Sequence, residues 1–161
     1  MRENHTGESP AIDVVSASHE DRVWAAQVMA SSDPWVSLGR GFESCLRSCC
    51  DPDFDVYVAR RGAERCGVLI MQRRGVAGSP YIVSLAVAPE MRNQRIGSLL
   101  LAFAEERVRD HAAFLFLCVS SFNSAARRFY ERNGYESVAQ LDDYVIPGAA
   151  ETLMCKRLKS A

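Results

Sequence analysis

The chain carries almost no net charge: 19 lysines and arginines against 20 aspartates and glutamates give −1 with neutral histidines. That balance excludes the bulk positive field that draws a protein to nucleic acid or to an anionic membrane surface. No apolar run approaches the roughly 18 residues of a spanning helix, so no membrane partner is expected. The first ten residues, MRENHTGESP, lack the apolar stretch of a secretory signal and are expected to form a disordered tail. The six cysteines include no C-x-x-C pair, and the three histidines, His5, His19 and His111, do not cluster with them. No metal site is therefore expected. Without a signal, reduced thiols in the cytoplasm are the expectation. Neither G-x-x-x-x-G-K-[ST] nor G-x-G-x-x-G occurs, which excludes the P-loop and the dinucleotide fingerprint.

At 161 residues, with 48% apolar and 24% charged side chains, residues 11–161 make one globular domain with a core of its own. Ala11–Ser16 alternates like a first strand. Ser18 to Asp21 resembles a capping box that opens a helix to about Ala30, and Ser31-Ser32-Asp33-Pro34 breaks it. A second helix is expected over Arg40–Cys50, with Cys45 and Cys49 one turn apart and packed. Strands Phe54–Arg61 and Cys66–Arg73 form a hairpin about Gly62. Then come strand Tyr81–Ala88, helix Arg95–Asp110, strand Ala113–Val119, helix Asn123–Arg132, and strands Tyr135–Leu141 and Thr152–Leu158. The unbroken apolar run Ala113–Val119 predicts a strand buried on both faces. The order βααββ, βα, βαββ is that of an α/β fold with a mixed sheet and helices on both faces.

One stretch reads as a seat for phosphate: a strand ending at Pro89, a polar turn, and a helix beginning near Arg95. The first amides of a helix have no intrahelical acceptor, and the helix dipole adds positive potential there. Gly97 lets the backbone come close to a ligand, and Arg92 and Arg95 add charge. This stretch resembles motif A of the Gcn5-related N-acetyltransferases, Arg/Gln-x-x-Gly-x-Gly/Ala, here Arg92-Asn93-Gln94-Arg95-Ile96-Gly97. Arg95 stands where the pattern has its first glycine. Downstream, Asn123-Ser124-Ala125-Ala126-Arg127-Arg128-Phe129-Tyr130-Glu131-Arg132-Asn133-Gly134-Tyr135 is similar to motif B. Together with the element order, the resemblance covers roughly Ile12–Leu158.

The resemblance implies a mostly antiparallel sheet of about seven strands, splayed between the fourth and fifth, with four helices. It implies acetyl-CoA as co-substrate and a primary amine as acceptor. The pantetheine arm would follow the strand edge at Leu85 and Val87, with an amide near Val87 facing the thioester carbonyl. The pyrophosphate would rest on amides of Arg95, Ile96, Gly97, Ser98, Leu99 and Leu100, with Arg92 adding charge. Asn123 would contact the coenzyme. Tyr130 would be the general acid, a phenol near pKa 10 donating to a thiolate whose parent thiol lies near 8.5; its plainer reading is a core tyrosine.

The chain also resembles the ribosomal-protein alanine acetyltransferases, in which a glutamate base stands at the position of Cys118. Cys118 is then a buried apolar cysteine or, by a covalent route, a nucleophile. Asp33, Glu43, Asp142, Asp143, or a water chain through Ser120 are the candidate replacements for the base. Trp35, Asp143 and Tyr144 would border the acceptor, a loose similarity to protein N-terminal acetyltransferases; Trp35 also suits the core and Asp143 a turn. A peptide or protein N-terminus, a lysine and a small-molecule amine all remain open as acceptors, as does a homodimer. A non-catalytic acyl-CoA-binding module on the same fold is the alternative.

Overall fold

A computed structural model of the chain describes residues 11–158; the expected tail at residues 1–10 lies outside the described residues. The elements run β1 (Ile12–Ser16), α1 (His19–Ala30), α2 (Phe42–Cys50), β2 (Phe54–Arg61), β3 (Glu64–Gln72), β4 (Tyr81–Val87), α3 (Ile96–Val108), β5 (Phe114–Ser120), α4 (Ser124–Arg132), β6 (Glu136–Asp142) and β7 (Ala150–Arg157). The seven strands form one sheet in the order β1-β2-β3-β4-β5-β7-β6. The β4–β5 pair is parallel and the other five pairs are antiparallel.

Local chemistry explains most element ends. At α1 the Ser18 hydroxyl accepts from the Asp21 amide at 3.2 Å, and the Asp21 carboxylate accepts from the Ser18 amide at 2.9 Å, which is the capping box. The same carboxylate accepts from Arg60 and, at 2.7 Å, from Arg65, tying α1 to β2 and β3. Burial alone would raise its pKa; the two guanidinium bonds outweigh that and hold it well below the usual carboxylate range. The β2–β3 hairpin closes through Gly62 at φ +62°, so β3 begins at Glu64, ahead of the expected Cys66. Asn123 caps α4 by accepting from the Ala126 amide at 3.2 Å. Gly134 follows that helix at φ +87°, the left-handed stop expected there.

Two apolar layers cover the sheet. On one face α3 buries Ile96, Leu100, Leu101, Ala104 and Val108 against Leu69, Leu115, Leu117 and Met154. On the other, α1 and α2 bury Ala25, Ala26, Met29, Cys45 and Cys49 against Val56, Val68 and Ile70. Burial raises the Cys49 thiol to about 12, so this pair of cysteines packs as small apolar groups. β5 differs from its expected burial on both faces. Leu115, Leu117 and Val119 are buried, but Phe114, Phe116 and Cys118 are only half-buried. Of these, Cys118 borders the opening described next, and the Phe114 ring lies under the Arg157 guanidinium.

Candidate active site

β4 and β5 are paired at Tyr81↔Phe116 and Ile82↔Leu117 and nowhere beyond. β3 nonetheless follows β4 to Val87, and β7 follows β5 to Ser120. Each strand is thus held on its outer side while the inner edges part. The parted edges leave backbone groups that a ligand can pair with.

Two cavities open from this gap. The larger, about 820 Å³, runs from Leu85 and Val87 past Arg92, Arg95, Ile96, Gly97 and Ser98 to Phe129 and Tyr130. Its floor is the start of α3. Arg95 takes a left-handed conformation (φ +61°, ψ +11°) as the residue before the helix, and Asn93 is left-handed as well. An arginine therefore adopts the backbone that a glycine adopts freely, at a cost of about 1–2 kcal/mol. The Leu99 amide donates to the Arg95 carbonyl at 3.0 Å, and the Leu100 side chain is fully buried under the sheet. The Leu99 amide, among those expected at the anion, is thus engaged within the helix. The amides of the first turn, at Ile96, Gly97 and Ser98, are the ones without intrahelical acceptors. A Cβ on Gly97 would stand 3.3 Å from the Phe129 ring, so glycine is what lets α3 and α4 approach across the cleft. The Ser32 hydroxyl, buried and without a hydrogen-bond partner, also borders this cleft.

The smaller cavity, about 190 Å³, lies beside it and shares Pro34, Trp35, Leu85, Asn123, Ala126 and Tyr130 with it. Tyr130 is 8% exposed, edge-on to Phe129 at 5.1 Å and to Tyr135 at 5.8 Å. It belongs to the core and borders both cavities at once. Burial pushes its pKa up, so the hydroxyl stays protonated. Trp35 is likewise packed in the α1–α2 layer with one edge on both cavities. Tyr144 stands at the mouth, 67% exposed.

Of the expected carboxylates, Asp33 borders the larger cavity and none lines the smaller. Asp143 is left-handed and accepts from the Gly148 amide at 2.6 Å, closing the β6–β7 loop on itself away from the cavity lining. Asp142 accepts from Gln140, and Asp33 from Ser37. Glu43 is exposed on α2. The acid that does line the smaller cavity is Glu151, with Tyr81, Cys118 and Ser120 around it. Burial raises both the Tyr81 hydroxyl and the Cys118 thiol, so both stay neutral. Among the described residues no cluster of three or more His, Cys, Asp or Glu could hold a metal ion, and no helix is long and apolar enough to cross a membrane.

The parted parallel strands, the helix start on one side and the tyrosine between two cavities together define an acetyltransferase-type architecture. The acetyltransferase (GNAT) domain family model matches residues 52–137, and the chain belongs to that family. It is 48% identical over 91 residues to an aminoalkylphosphonate N-acetyltransferase from Salmonella typhimurium, covering 53% of this chain and 59% of that one. It is 41% identical over 68 residues to N-alpha-acetyltransferase 60 from Xenopus tropicalis, covering 40% of this chain and 28% of that one. The chain thus spans less than two thirds of the length of either relative. The ribosomal-protein-S18-alanine N-acetyltransferase from Escherichia coli superposes with a TM-score of 0.74 at 18% identity, over 94% of this chain and 96% of that one. That likeness is one of fold.

Proposed function

We propose that this protein transfers the acetyl group of acetyl-CoA to a primary amine by direct attack in a ternary complex. The single observation that carries this is the β4–β5 gap with two cavities meeting at Leu85, Asn123 and Tyr130. The larger suits a long, polar co-substrate: helix-start amides and Arg92 and Arg95 for a diphosphate, a parted strand edge for amide groups, and an orphan Ser32 hydroxyl. The smaller suits an acceptor amine.

The amine nitrogen attacks the thioester carbonyl, with the strand amide near Val87 donating to the oxygen as charge develops on it. The C–N bond forms, the C–S bond breaks, and the departing thiolate takes the Tyr130 proton. Trp35 and Tyr144 wall the acceptor. A protein N-terminus is one acceptor class in keeping with the N-alpha relative, and a small amine is another in keeping with the phosphonate relative. Six cysteines without a disulfide suit the cytoplasm.

The test is thiol release from acetyl-CoA against tetrapeptides of varied first residue, an Nα-blocked lysine and 2-aminoethylphosphonate. Turnover with one class identifies the acceptor. Acetyl-CoA binding without turnover on any amine would replace this reading with that of a non-catalytic acyl-CoA module.

A further inference from the structure

Building on the acetyl-transfer reading, we infer that Glu151 on β7 binds the acceptor as its ammonium ion and removes its proton. Glu151 is 6% exposed. The Ser120 hydroxyl donates to its Oε1 at 2.5 Å, and no cation pairs with it among the described residues. A carboxylate this buried is costly unless a cation or several donors compensate it. One hydroxyl occupies one oxygen, which leaves Oε2 for an incoming N–H. The register Ser120↔Glu151 puts both side chains on the same face of the sheet, the face that carries Cys118 and opens to the smaller cavity.

The surroundings suit an ammonium. Tyr81 from β4, Cys118 from β5, Tyr144 from the β6–β7 loop and Tyr130 from α4 line the same cavity, and the first two are held neutral. Arg40 is the one cation of the lining, and its guanidinium is engaged by Ser44 and Ser48 of α2 at 3.3 and 2.9 Å. Trp35, Tyr81 and Tyr144 supply aromatic faces, which attract a cation when it is desolvated. A neutral or anionic acceptor has no comparable reason to enter.

The step balances. The R–NH3⁺ proton passes to Glu151, and the freed lone pair attacks the thioester carbonyl. As the C–S bond breaks, the thiolate takes the Tyr130 proton, and the second amine proton returns to Tyr130. Glu151 releases its proton to solvent as the amide leaves. The net products are an N-acetyl amine, coenzyme A thiol and one proton.

The experiment is the pH dependence of kcat/KM for Glu151→Gln and Glu151→Asp, with the fastest acceptor from the set above. Glu151→Gln is expected to bind acetyl-CoA as the wild type does and to lose about 100-fold in kcat/KM at pH 7. Its rate should climb about tenfold per pH unit until the acceptor's own pKa, where free amine is supplied by the solvent. Glu151→Asp should keep the wild-type shape at a lower rate. A Gln variant with the wild-type profile overturns the inference and leaves acetyl transfer standing. A Gln variant that no longer binds acetyl-CoA also overturns it, by making Glu151 structural. Absence of wild-type turnover on every acceptor would overturn the acetyl-transfer reading itself, and this one with it.

Discussion

The two cavities on either side of the β4–β5 gap are built in opposite ways. The larger is walled mainly by two stretches, Leu85–Ser98 and Asn123–Arg132, each a strand or turn running into a helix, with Ser31–Trp35 from the α1–α2 connection closing one side. The smaller draws on Trp35, Tyr81, Cys118, Ser120, Tyr144 and Glu151, from five parts of the chain. Helix-start chemistry is local, because amides, capping side chain and glycine sit within a few residues of each other. A cavity that fits one acceptor is a product of sheet register and loop placement. The difference explains why relatives of this fold can share a co-substrate while taking different amines.

Four substitutions sharpen or break that contrast. The largest effect is expected at one of the shared residues: Tyr130→Phe should lower kcat about 100-fold while acetyl-CoA and acceptor binding stay within about twofold. Undiminished turnover would remove the tyrosine from the chemistry and leave it only in the core. Next, Gly97→Ala should raise the acetyl-CoA Kd about tenfold with no change in acceptor KM, because the new methyl pushes Phe129 into the cleft; titration calorimetry checks it. Tyr144→Ala should do the converse, raising acceptor KM several-fold without changing acetyl-CoA binding. Its exposure predicts a stability change within about 0.5 kcal/mol. Smallest, Arg95→Gly should stabilise the fold by up to about 1 kcal/mol in denaturant unfolding, by relieving the left-handed arginine. If Gly97→Ala and Tyr144→Ala each disturbed both ligands equally, the two cavities would behave as one site.

The same contrast governs what could be read before any coordinates. The element order, the seven-stranded sheet and the parting of β4 from β5 followed from apolar patterning and two motifs. Asn123, Gly97 and Tyr130 all line the larger cavity, each placed by its position at a helix start or on a helix face. Glu151 was missed because the last strand was expected to begin at Thr152, which left the acid in a loop. A glutamate set among Ala149, Ala150, Thr152 and Leu153, with no basic residue until Lys156, was the available signal. Of the two readings given for Asp143, the turn residue is the one seen, since its carboxylate closes the β6–β7 loop, while the acceptor-side role rested on charge. Burial on both faces of β5 was inferred from hydrophobicity. A strand bordering a ligand gap is equally apolar, so the two cases look alike in sequence.

The position of β7 between β5 and β6 has a consequence for synthesis. Those two strands are not neighbours, and each keeps an open hydrogen-bonding edge until β7 slots between them. Everything that walls the larger cavity has left the ribosome some two dozen residues before β7 is complete. A nascent chain can therefore assemble the walls of the larger cavity while the smaller one still lacks a side. Closure arrives with the strand that carries Glu151, so the smaller cavity is the last part of the site to be completed as the chain is made.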